Sequence, residues 1–144
     1  MENSNSNIIK SSKIKLDFKD SKYATGRRKR SIAKVWVKKG SGNIHVNGLK
    51  MNEYFKRPVH QIIVTRPLEI SQVATNYDVR CSVKGGGLSG QAGAIILGIS
   101  KALIAHDESL KKSLKKDKLT TRDSRVVERK KYGHRKARRS FQFS

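Results

Sequence analysis

The sequence holds one cysteine, Cys81, and aromatic residues make up 6% of it. A single cysteine excludes an internal disulfide, and nothing in the chain implies an oxidising compartment. With only four histidines, scattered as His45, His60, His106 and His134, no Cys/His metal cluster is expected. Acidic residues number 11 in 144, and no pair of them is spaced for general acid–base work. No apolar run approaches the ~18 residues of a membrane span, so no membrane partner is expected. The G-x-x-x-x-G-K-[ST] pattern of a phosphate-binding loop is missing. Hydrophobic residues are 35% of the chain, too few to fold its whole length around one core but enough for a compact domain in part of it.

What the sequence has in excess is positive charge. Lys and Arg total 33, for a formal net charge of +22. A domain this basic repels itself and is expected to live neutralised by a polyanion. The charge is uneven. Residues 1–22 carry 5 basic and 3 acidic groups, open on Met1-Glu2-Asn3-Ser4-Asn5-Ser6-Asn7, and do not read as a targeting signal. They are expected to be an N-terminal extension that is disordered or ordered by RNA. Residues 23–110 carry 14 basic and 5 acidic groups and most of the apolar residues, and read as the globular domain. Residues 111–144 carry 14 basic and 3 acidic groups with few large apolar side chains. Such a tail cannot offset its own ordering entropy by burial, so it is expected to take shape against a partner. Fully extended, its 34 residues reach on the order of 100 Å.

Apolar periodicity gives the elements. Ala33, Val35 and Val37 alternate with Lys34 and Lys38, predicting a half-buried first strand. Lys39-Gly40-Ser41-Gly42 reads as a turn, and Asn43 to Asn47 as the returning strand of an antiparallel hairpin. Met51 to Phe55 predicts a short helix, with Asn47 or Asn52 as capping candidates. Pro58–Val64 and Pro67–Ala74 predict two helical segments, each opened by a proline, although Ile62-Ile63-Val64 also fits a strand. Tyr77, Val79, Cys81 and Val83 alternate with Asp78, Arg80, Ser82 and Lys84 and predict a second clear strand, with Cys81 in the core. From Gln91 to Ala105 a helix is predicted on the stripe Ile95, Ile99 and Leu103. Its small residues, Ala92, Gly93, Ala94, Gly98 and Ala102, imply close packing on a sheet. Lys111 to Lys118 reads as one more polar helical piece. The order implies an α+β fold with helices on one face of a small, mostly antiparallel sheet.

Two features carry candidate chemistry. Gly85, Gly87 and Gly90 fit G-x-G-x-x-G between a strand and a helix. Three readings stand: a dinucleotide site, which also needs a following parallel strand with an acid; a tight turn that lets the helix approach the sheet; and a turn that offers Gly85, Gly86, Gly87 and Gly90 to phosphates of a nucleic acid. The second feature is the basic clusters. Arg27-Arg28-Lys29-Arg30 precedes the first strand. Arg122, Arg125, Arg129, Lys130, Lys131, Arg135, Lys136, Arg138 and Arg139 crowd the tail, interleaved with Tyr132, Phe141 and Phe143. Arginine forks match phosphate, and aromatic rings stack on unpaired bases. No groove-reading motif for duplex DNA is present, so structured RNA is the better fit. A free-standing RNA chaperone and a nucleotide-dependent enzyme are the competing readings.

Four motifs in order resemble the family of the ninth protein of the small ribosomal subunit, in its bacterial form and especially its alphaproteobacterial and mitochondrial branch. They are Tyr23-Ala24-Thr25-Gly26-Arg27-Arg28-Lys29-Arg30-Ser31-Ile32-Ala33, then Lys84 to Ala94 with Gly98-Ile99-Ser100-Lys101-Ala102-Leu103, then Thr120 to Gly133, then Lys136-Ala137-Arg138-Arg139-Ser140-Phe141-Gln142-Phe143-Ser144. The resemblance implies an α+β fold with an unusual left-handed β-α-β crossover, similar to the second domain of the fifth small-subunit protein, plus an extended basic C-terminal tail. It implies a structural protein of the small-subunit head, with no enzymatic activity and no cofactor, in the mitochondrial matrix or the bacterial cytoplasm. The implied partners are small-subunit ribosomal RNA, neighbouring head proteins, and peptidyl-site tRNA through the tail. On this view the basic clusters neutralise RNA phosphates, while Phe141, Gln142, Phe143 and Ser144 lie nearest the tRNA. Tails of the family continue after Gln-Phe-Ser with Lys-Arg, whereas this sequence stops at Ser144.

Overall fold

The computed structural model describes residues 20–142. The expectations for residues 1–19, Phe143 and Ser144 lie outside the described residues. In chain order the elements are strands β1 (Lys22–Arg28), β2 (Ser31–Lys39), β3 (Ile44–Val46) and β4 (Leu49–Lys50), helices α1 (Met51–Tyr54) and α2 (Pro58–Ile70), strand β5 (Tyr77–Lys84), and helix α3 (Leu88–His106). A 3₁₀ turn at Glu108–Leu110 leads into α4 (Lys111–Lys116). The strands form one mixed sheet in the order β1-β2-β5-β3-β4. All neighbours are antiparallel except β3 and β5, which are parallel.

The alternating strands at β2 and β5 form as their periodicity predicts, but the hairpin expected between β2 and β3 does not. β2 pairs with β1 and β5 instead, and β5 lies between β2 and β3. Asp78, at the start of β5, is one tie that holds this arrangement. Its Oδ1 accepts the backbone N–H groups of Ser41, Gly42 and Asn43 at 3.0, 2.9 and 2.9 Å. The Gly40 N–H donates to the Asn76 carbonyl at 2.9 Å. The loop leaving β2 is thus bound to the end of β5 and carries the chain past it. Partial burial tends to raise the Asp78 carboxyl, but the N–H groups of Asn43, Gly42 and Ser41, together with nearby Lys38, hold it below the ordinary aspartate value.

The first strand is β1, and β2 is the second. Arg27 and Arg28 lie inside β1, and Lys29 (φ 52°) with Arg30 makes the turn into β2. The inward residues of β1 are Ala24 and Gly26, too small to register as an apolar alternation. They are small because α3 crosses them. A Cβ on Gly26 would stand 1.8 Å from the Ala94 carbonyl oxygen, and one on Gly98 2.5 Å from Val35 Cγ2. The close approach implied by the small residues of α3 is therefore real.

The two predicted helical segments from Pro58 are one helix, α2, with Pro67 inside it. His60, Val64, Pro67 and Leu68 make its buried stripe, so the ring that interrupts the backbone ladder is itself core. The Ile62–Val64 stretch is helical, not a strand. α1 has no side-chain cap. Asn47 does other work: its side chain accepts the Val83 N–H at 2.8 Å and donates to the Val83 carbonyl at 3.1 Å, tying the β3–β4 turn to β5.

α3 also corrects the reading of apolar length. It is 19 residues long with a mean hydropathy of 1.5 over its best window, enough by length and composition to cross a membrane. Twelve of its residues, from Gly90 to Leu103, are buried among β1, β2 and α2, so its apolarity is that of a core helix. Cys81 is buried as expected, which pushes its thiol up. Leu114 and Leu119 are buried in the same core, past residue 110.

Candidate nucleic-acid interface

One end of the molecule gathers the two features singled out in the sequence. β1 and β2 turn at Lys29-Arg30, and β5 turns into α3 through Gly85-Gly86-Gly87. Ser31 joins them: its hydroxyl donates to the Gly85 carbonyl at 3.0 Å. The same carbonyl accepts Gln91 Nε2 at 3.1 Å, and Gln91 Oε1 accepts the Tyr54 hydroxyl at 2.6 Å. Gly85 (φ +80°) and Gly86 (φ +59°) hold left-handed backbone that side chains disfavour. Gly90 is packed beneath the basic turn, where a Cβ would meet Ser31 Oγ at 2.9 Å and Lys29 Cδ at 3.7 Å. Ser31 and Gln91 are the residues sequence reasoning missed. Both are buried polar residues, but only the fold shows that they share one acceptor.

Gly87 opens α3 with no side-chain cap, and a Cβ there would meet nothing within 4 Å. Gly87, Leu88 and Ser89 are exposed. The first N–H groups of a 19-residue helix thus face solvent beside Lys29 and Arg30, with the helix dipole adding to the positive potential. This arrangement favours an anion. A dinucleotide unit is not formed: among the described residues no strand of the sheet follows α3.

The four residues of the first basic cluster separate by role. Arg27, Lys29 and Arg30 are exposed. Arg28 is half-buried, lies over Gly93, and forms an ion pair with Asp123 at 3.7 Å. Asp123 also accepts the backbone N–H of Arg125 at 3.0 Å and its guanidinium Nη2 at 2.6 Å. These contacts, those of Arg125 above all, hold the Asp123 carboxyl far below the usual range. The tail is therefore clipped to the end of β1 as it leaves the core. A cleft of about 170 Å³ lies at this junction, between Arg27, Gly93, Leu119 and Arg125.

Further along, Glu128 pairs with Lys131 and with Arg138, the latter at 3.0 Å, and both lower its carboxyl, Lys131 the more. Gly133 (φ +78°) turns the chain, and the Arg135 N–H donates to the Arg139 carbonyl at 2.8 Å. The Arg135 guanidinium stands 5.6 Å from the Phe141 ring centroid. Among the described residues Arg122, Arg129, Lys130, Lys136 and Arg139 form no ion pair. They are exposed, as are Tyr132, Phe141 and Gln142. The predicted tail cations thus divide into a self-paired set (Arg125, Lys131, Arg138), Arg135 set against the Phe141 ring, and a set of five whose charge is open. The tail cations are not brought onto the glycine turn itself.

Residues 26–144 match the model of the family described as ribosomal protein S9/S16.

Proposed function

The chain belongs to the ribosomal protein S9/S16 family, and from that premise we propose that it docks on small-subunit ribosomal RNA through the end of the domain where Lys29 and Arg30 meet the Gly85–Gly90 turn, and sends its tail toward peptidyl-site tRNA. Membership makes it a structural ribosomal protein of the small subunit, binding ribosomal RNA beside other ribosomal proteins, and not an enzyme. The observation that carries the docking surface is the juxtaposition itself. Two exposed cations and the uncapped start of α3 face the same solvent, and Ser31 locks the two turns that present them.

Within the tail expected over residues 111–144, Leu114 and Leu119 still pack in the core, so we take the RNA-following part to be that from Thr120 onward. Its open cations, Arg122, Arg129, Lys130, Lys136 and Arg139, neutralise phosphates along the path. Arg125, Lys131 and Arg138 exchange Asp123 and Glu128 for phosphate where RNA comes close enough to compete. Phe141 and Gln142 lead the end that approaches the tRNA. A parallel pair, β3 and β5, is joined through β4, α1 and α2, and we read this crossover as the left-handed unit expected of the family, on the subunit head.

Co-sedimentation tests the reading. The full chain is expected in stoichiometric amounts with small subunits at moderate salt, and recovery in the free fraction alone would contradict it. Deleting Arg135 to Ser144 is expected to leave folding and incorporation intact and to weaken tRNA retention at the peptidyl site modestly. Unchanged retention would remove the tail from that role.

A further inference from the structure

The helices cover one face of the sheet, and the other carries a pattern that the glycine turn and the tail do not explain. In register, Tyr23 of β1 faces Trp36 of β2, Trp36 faces Arg80 of β5, Arg80 faces His45 of β3, and His45 faces Lys50 of β4. These five residues form one row across the whole sheet, on the face opposite Val35, Val37 and Val79. The Tyr23 and Trp36 rings stand 5.3 Å apart between centroids, and the Arg80 guanidinium lies 5.0 Å from the Trp36 centroid. Tyr23 is 50% exposed. One step along the strands, Lys34 and Ser82 face each other, and then Ile32 and Lys84; a hollow of about 150 Å³ lies between these four.

The solvent face of an antiparallel sheet is ordinarily polar. Here its middle is a Tyr–Trp–Arg platform, flanked by exposed Lys34 and Lys84. The acid nearby, Asp78, is bound by the Ser41–Asn43 backbone, with Lys38 beside it. Flat rings and a guanidinium plane in a positive field match unpaired bases of a polyanion: the planes stack on base faces, and the flanking cations hold the backbone. Duplex RNA offers no free base face to such a platform.

We propose that the open face of the sheet, along Tyr23, Trp36 and Arg80, is a stacking platform for unpaired RNA bases. This rests on the ribosomal-RNA reading and adds a second contact surface to it. Trp36 is the one tryptophan in the chain, so its emission reports the platform directly. The full chain is titrated with a single-stranded oligouridylate and, separately, with an RNA duplex of equal phosphate count, following both Trp36 emission and oligonucleotide anisotropy. Salt is set at about 0.3 M to weaken the tail's phosphate contacts. The single strand is expected to quench Trp36 and the duplex to leave it largely unchanged. Tyr23→Ala is expected to weaken single-strand affinity roughly fivefold or more, while Tyr23→Phe, which keeps the ring, holds the parent value. Binding seen by anisotropy with unchanged Trp36 emission and no effect of Tyr23→Ala would overturn the platform and leave RNA binding standing. Equal quenching by duplex would overturn stacking. Failure of both RNAs to bind at any salt would overturn the RNA reading and the platform with it.

Discussion

Replacing Gly86 by alanine tests whether the glycine turn is built as described. Its φ of +59° is left-handed, and a Cβ would stand 2.3 Å from Ser31 Oγ and 3.3 Å from the Ser31 nitrogen. Left-handed backbone costs a residue with a side chain about 1–2 kcal/mol. Moving the Ser31 hydroxyl aside breaks its 3.0 Å bond to the Gly85 carbonyl, a net loss of about 1 kcal/mol. Gly86→Ala is therefore expected to cost about 2–3 kcal/mol, and Gly86→Val more, since β-branched residues are least suited to this region. For a domain of this size that lowers Tm by roughly 10–20 °C. The two contributions separate in a double-mutant cycle with Ser31→Ala, which removes the obstructing oxygen. In that background Gly86→Ala should cost only the backbone strain, about 1–2 kcal/mol. Urea unfolding of the four chains, followed by circular dichroism, gives the values. Parent-like stability of Gly86→Ala, or the same cost in both backgrounds, would refute the reasoning.

Gly26→Ala is expected to be worse, because the obstruction at 1.8 Å is the α3 backbone rather than a side chain; a loss of at least about 3 kcal/mol should appear as a large fall in urea midpoint. Gly87→Ala is its control, meeting nothing within 4 Å, and should unfold within about 0.5 kcal/mol of the parent. Asp78→Asn should lose about 1–2 kcal/mol at pH 7, because a charged acceptor of three N–H groups becomes neutral. The folded carboxyl titrates below its unfolded value, so its stabilisation is whole above about pH 4 and fades as pH falls through the folded value; melting curves of parent and variant should converge in acid. Lys29→Gln with Arg30→Gln should leave Tm within a few degrees and reduce the slope of log affinity for ribosomal RNA against log salt by about 1–2, and an unchanged slope would remove both cations from the interface.

The elements that the sequence reveals are those with a strong apolar period. β5 runs from Tyr77 to Lys84, where the alternation places it, and α3 contains the predicted stripe of Ile95, Ile99 and Leu103. β1 is hidden because closeness to α3 demands alanine and glycine at its inward positions, which erases the signal that marks a strand. The sheet order is hidden for a different reason. It rests on ladders between strands far apart in sequence and on ties such as Asp78 reaching a loop 35 residues or more away, and a local pattern carries no trace of either. Pro67 misleads because a proline that ends most helices is here buried inside one. At the interface, the basic run and the glycine run are each legible, but their meeting is not: it hangs on Ser31, an unremarkable serine at the start of a strand. The platform on the open face is invisible for the same cause, since Tyr23, Trp36 and Arg80 become neighbours only through strand register.

The most direct test of the docking surface is a cryo-electron microscopy map of small subunits assembled with this chain. RNA backbone density is expected against Lys29, Arg30 and the Gly86–Ser89 turn, with RNA also lining the tail from Thr120 onward. A map in which that end of the domain faces solvent, or is covered by protein alone, would contradict it.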